Sequence, residues 1–136
     1  MAESFLHIKL VEALERSISD IIPNVDKACV FLDHPLRNQG YAIPFCYGFK
    51  PDLYALSDSS KIIVIGEAKT YKDLQSKHTK AQILSFLKKC REYEISFFIM
   101  AVPWDMVPYA LSLVRDAIPL AEAEKVNVKI IEKLPY

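Results

Sequence analysis

The chain has 136 residues, 51% of them hydrophobic and 25% charged, with 17 basic against 17 acidic side chains. That length and balance describe one soluble domain, residues 1–136, and exclude collagenous, disordered and disulfide-framework chains. A formal net charge of zero argues, at first sight, against nucleic acid as a partner, because an electrostatic footprint is what such proteins usually show first. Cys29, Cys46 and Cys90 are widely spaced and form no Cys-x-x-Cys pair, so they read as reduced thiols. Residues 1–4 open an amphipathic segment, and the most apolar stretch, 95–102, is far shorter than a membrane span of about 20 residues. The expected location is the cytoplasm.

Taken in chain order, residues 3–22 place Leu6, Leu10, Val11, Leu14, Ile18, Ile21 and Ile22 at a helical period that Pro23 stops. A short strand is expected over 27–32, then a polar loop over 33–40, then an extended piece over 41–47 interrupted at Pro44. Strands follow at 52–56 and 61–67, joined by the tight turn Ser57-Asp58-Ser59-Ser60. A helix over about 75–93, a buried strand over 95–102, a helix over 104–118 ending before Pro119 and a strand over 126–131 complete the order α-β-β-β-α-β-α-β. Ile62, Ile63, Val64 and Ile65 make both faces of their strand apolar, so it belongs in a sheet covered on two sides. The first helix and the 75–93 helix are the expected covers of an α/β sandwich.

The residue inventory removes several chemistries. Gly40, Gly48 and Gly66 are the only glycines, so no Walker, dinucleotide or Gly-x-Ser-x-Gly loop can be written. His7, His34 and His78 show no metal-ligand spacing. Counting back from a turn tipped by Ser59 and Ser60 sets Asp52 opposite Glu67, with Cβ atoms about 4.5–5.5 Å apart. Two carboxylates so placed repel unless a cation lies between them, and oxygen ligands suit Mg²⁺ or Mn²⁺. Lys69, two residues beyond Glu67, points to the same face. A divalent cation beside an ammonium suits phosphodiester hydrolysis, with lysine orienting the attacking water or steadying charge on phosphorus.

Pro51-Asp52, fourteen intervening residues and then Glu67-Ala68-Lys69, set across a hairpin between two helices, resemble the PD-(D/E)XK nuclease superfamily. Its α-β-β-β-α-β core corresponds to residues 3–102, and the last helix and strand would be additions to this restriction-endonuclease-like mixed sheet. The resemblance implies a Mg²⁺- or Mn²⁺-dependent deoxyribonuclease. Asp52, Glu67 and the Ala68 carbonyl would be metal ligands, and Lys69 the catalytic lysine. Gln82-Ile83-Leu84-Ser85-Phe86 is similar to the Gln-x-x-x-Tyr motif of the exonuclease-like branch, with Phe for Tyr, so Gln82 alone carries over. Glu15 is the candidate first-helix carboxylate, and His7 a candidate neighbour of the metal through a water.

DNA is the expected partner, RNA being chemically admissible, and a homodimer with one site per subunit is expected for cutting two strands. The alternatives are an inactive or accessory nucleic-acid-binding subunit, or a small protein-interaction domain whose charged triplet is a structural ion cluster. Lys72, Lys77, Lys80, Lys89 and Arg37 are candidate phosphate contacts, or simply a solvated face. Residues 67–91 hold seven basic side chains against Glu67 and Asp73, so overall neutrality averages a positive strip with an acidic remainder. His34 and His78 read as exposed and idle.

Overall fold

The computed structural model describes residues 4–36 and 42–134. The first apolar period folds as α1 (Phe5–Ser17), opened by the Ser4 hydroxyl, which accepts the His7 N–H at 3.1 Å. Three strands follow, β1 (Cys29–Leu32), β2 (Leu53–Leu56) and β3 (Ile62–Ala68). A single-turn α2 (Tyr71–Leu74) leads into α3 (Lys77–Cys90), and β4 (Ile95–Pro103), α4 (Val107–Ala121) and β5 (Asn127–Lys133) close the chain.

The sheet runs β1-β2-β3-β4-β5, antiparallel through β3 and parallel thereafter. Parallel neighbours need crossover connections, and here α3 and α4 supply them. Both helices pack with Ile63, Ile65, Phe98 and Met100 on one face of the sheet. On the other face Leu10, Val11 and Leu14 of α1 meet Leu53, Val64, Ile99 and Ala101. The protein is therefore an α/β sandwich of five strands, and β3 is buried on both faces as its unbroken apolar run requires. Among the described residues, no helix is long and apolar enough to cross a membrane.

Two expectations are corrected. Residues 42–47 form no strand; instead Cys46 and Phe49 pair across a tight turn, with Tyr47 at φ 49° and Gly48 at φ 88°. Those two residues spend their main-chain hydrogen bonds on each other (2.7 and 3.1 Å), and Pro44 has no N–H to offer a ladder. The α4 helix also runs through Pro119 to Ala121. Pro119 sits in the last turn, and Glu122, at φ 54°, ends the helix with its N–H directed to the Ile118 and Pro119 carbonyls.

Close packing of α1 on the sheet depends on Gly66. A Cβ there would stand 3.0 Å from the Leu53 Cβ and 3.1 Å from the Leu14 Cδ2. Gly66→Ala should therefore lower stability by about 1–3 kcal/mol through overpacking, measured as a reduced urea midpoint at unchanged slope.

Candidate active site

The register of the β2–β3 hairpin pairs Leu53 with Gly66, and the next step outward sets Asp52 against Glu67, as the count from the turn predicts. The turn earns that register locally. Ser57 N–H bonds the Ile62 carbonyl at 3.0 Å, its hydroxyl accepts the Ile62 N–H at 3.1 Å, and Ser60 takes φ 60°. Both carboxyls are buried, Asp52 at 7% exposure and Glu67 at 3%.

Their surroundings come from four elements. One Asp52 oxygen, Oδ2, accepts the Ala68 N–H at 2.8 Å, and the other lies 3.5 Å from the His7 Nε2 on α1. The main-chain carbonyl of Asp52 accepts the Asp33 N–H at 2.8 Å beyond the end of β1. Glu67 shares a hydrogen bond with the Asp52 carboxyl, and its Oε2 lies 3.5 Å from the Lys69 Nζ. Lys69 donates to the Gln82 Oε1 at 2.5 Å, while its main-chain N–H donates to the Ala101 carbonyl at 3.0 Å. The ammonium is thus held between β3 and α3.

Burial, followed by the charge of Asp52 and the hydrogen bond to it, raises Glu67 well above the usual carboxyl range, and nearby Lys69 offsets only part of this. For Asp52 burial also pushes upward, but hydrogen bonds from Glu67, His7 and the Ala68 amide outweigh it and hold the group below its ordinary value. Without a metal, both directions favour a proton on Glu67, donated to the Asp52 carboxylate.

Among the described residues, no group of three or more His, Cys, Asp or Glu side chains is arranged to hold a metal ion. The donor set is two carboxylates plus main chain. The Ala68 N–H is directed to Asp52, and an antiparallel residue directs its C=O to the same neighbouring strand as its N–H. Two carboxylates and a carbonyl match the few protein oxygens that Mg²⁺ takes while keeping several waters. The residues present fit such a cation.

The remaining candidates are distributed unevenly. His7 reaches the carboxyl pair, and Glu15 lies eight residues and about 12 Å farther along α1. Lys77 and Lys80 line a groove facing Leu113, Asp116 and Leu120 of α4. Lys89 lies on the Gln82 side of α3 but two turns away, 3.3 Å from Glu92 and over the Tyr93 ring. Lys72 is exposed on α2. Lys77 and Lys80 therefore face α4, while Lys89 faces Glu92 and Tyr93. Arg37 lies outside the described residues.

A second polar pair was hidden from sequence reasoning. His34, read as exposed, is 5% exposed, with Nδ1 accepting the Leu36 N–H at 3.1 Å and Nε2 3.0 Å from the Glu12 Oε2. With Nδ1 occupied as an acceptor, Nε2 carries the proton and donates to Glu12, holding that carboxyl below its usual range. The pair ties α1 to the end of β1 beside Asp33 and Asp52. No local signal announces a contact spanning 22 residues, and periodicity puts Glu12 toward solvent. His78 is exposed as expected, although its ring meets Phe49 edge-on at 5.1 Å.

No family model matches the chain, and no curated protein or solved structure shows significant similarity to it.

Proposed function

We propose that this chain is a metal-dependent nuclease of the PD-(D/E)XK type, hydrolysing DNA phosphodiesters, with a restriction-endonuclease-like core formed by α1, β1–β3, α3 and β4. The observation that carries this reading is the buried, hydrogen-bonded Asp52–Glu67 pair beside an ammonium held by Gln82. Asp52, Glu67 and the Ala68 carbonyl would hold Mg²⁺ or Mn²⁺. When bound, the cation supplies Lewis acidity and lowers the pKa of a coordinated water.

The chain's own groups do the rest. Lys69, fixed from two sides, orients the attacking water and offsets negative charge that develops on phosphorus. Gln82 keeps the Lys69 Nζ from folding fully onto Glu67. His7 closes the α1 side of the pair and positions Asp52. A homodimer carrying one site per subunit would cut both strands of a duplex, and RNA shares the phosphodiester chemistry.

A nucleic-acid-binding subunit of the same fold is favoured by one feature: Asp52 and Glu67 already have internal neighbours in His7 and Lys69. Linear, nicked, branched and single-stranded DNA, with one RNA control, should be incubated with Mg²⁺, Mn²⁺ or EDTA, beside Glu67→Ala and Lys69→Ala variants. Cleavage in either metal, absent in EDTA and in both variants, is the expected result. Identical behaviour of wild type and variants on every substrate would sink the enzyme reading, and retained DNA affinity would then support the binding subunit.

A further inference from the structure

A cleft among the described residues lies beside the carboxyl pair but is not part of it. It has a volume of about 590 Å³ and is lined by Phe5, Leu6, Lys9, Tyr71, Pro103, Trp104, Lys133 and Leu134. Three of its walls continue directly from the site. Leu6 precedes His7, Tyr71 stands two residues after Lys69, and Pro103 two after Ala101, whose carbonyl takes the Lys69 N–H.

Its lining joins aromatic faces to cations. Phe5, Tyr71 and Trp104 are 74%, 45% and 47% exposed, and all three line the cleft. The Tyr71 hydroxyl is hydrogen-bonded to Asp105, which ties its ring to the turn carrying Trp104. Lys9 stands over the Phe5 ring at 5.2 Å on one wall, and Lys133 enters from the end of β5 on another. Exposed aromatic rings set between ammonium groups match a planar base attached to a charged backbone.

We infer that this cleft is a binding site for an unpaired nucleobase of the substrate strand, stacked on Trp104 and Tyr71, with Lys9 and Lys133 facing the flanking phosphates. This rests on the nuclease reading of the adjoining site and names its substrate class: single-stranded DNA, or duplex DNA with frayed or branched ends. A continuous blunt duplex keeps its bases stacked and offers none to the cleft.

Trp104 is the chain's only tryptophan, so its emission reports the cleft directly. The test titrates the full chain, in EDTA so that nothing is cut, with a single-stranded 12-mer, a blunt duplex of the same sequence, and a 12-mer of abasic sites. The single strand should quench Trp104 emission and bind about 5- to 100-fold more tightly than the abasic strand. By anisotropy of a labelled strand, Trp104→Ala should lose a similar factor and Trp104→Phe should recover most of it, with circular dichroism confirming that both variants fold. Equal binding of single-stranded and abasic oligomers, or Trp104→Ala binding like wild type, overturns the proposal. So does Trp104 emission that depends on protein concentration but not on DNA, which would mean that a second copy covers the cleft. Quenching by single strands without cleavage in any metal would retain the base site and reject the nuclease. Cleavage of blunt duplex that ignores Trp104→Ala would do the reverse.

Discussion

Glu67→Gln should abolish DNA cleavage while making the protein more stable at neutral pH. The amide has nearly the shape of the protonated carboxyl and can donate to Asp52 as Glu67 does, so the local structure should persist. It supplies no anionic oxygen for a cation, and loss of one such electrostatic element costs on the order of 10²–10³-fold in rate. The stability gain follows from linkage. Burial and Asp52 raise the folded-state pKa of Glu67 above its unfolded value of about 4.3, so the folded protein binds the proton more tightly. That stabilisation is fully present below the unfolded pKa and is lost as pH rises through the folded pKa. Asp52 is shifted the opposite way and favours folding above its unfolded pKa, but the variant removes only the Glu67 contribution. Urea denaturation of both proteins in EDTA should give similar midpoints near pH 4 and a higher midpoint for Glu67→Gln at pH 8. A variant less stable than wild type at pH 8 would show that the Glu67 charge is satisfied in the fold and not strained by it.

Phe86→Ala should cost about 3–5 kcal/mol of stability, the largest loss expected from a single truncation here. Phe86 and Phe98 are both fully buried, with ring centroids 6.3 Å apart, where α3 lies on β4. Phe86 also sits one turn beyond Gln82, so the same packing holds Gln82 against Lys69. The resemblance places Phe86 where the exonuclease-like motif has a tyrosine, but in this chain the ring belongs to the core. Phe86→Tyr should accordingly cost about 1–3 kcal/mol by burying a hydroxyl and should leave cleavage no faster. Increased activity in that variant would place the ring edge at the site after all.

The hairpin was the most legible part of the candidate site. Its register depends on Ser57-Asp58-Ser59-Ser60 and on period-2 side-chain alternation, both local, and a slip of one residue would turn Asp52 and Glu67 to opposite faces. Gln82 and Lys69 were also readable, because each lies at a defined place on a periodic element. His7 was visible only as a candidate beside Glu15, since helical projection specifies direction around α1 but not height along it. The lysines named as candidate phosphate contacts were the least readable group. Their clustering in sequence says nothing about α3 turning Lys77 and Lys80 toward α4 and Lys89 the other way.

The sequence by itself determined the order of helices and strands, the doubly buried central strand and the juxtaposition of two carboxylates with a lysine. These follow from side-chain period and turn chemistry over a few residues. Tertiary structure alone decided that His34 is buried against Glu12 and that Phe5, Tyr71 and Trp104 surround one cleft. Each of these depends on whether distant segments satisfy a polar group or converge at one end of the sheet. Such contacts join residues far apart in the chain, and no local pattern encodes them.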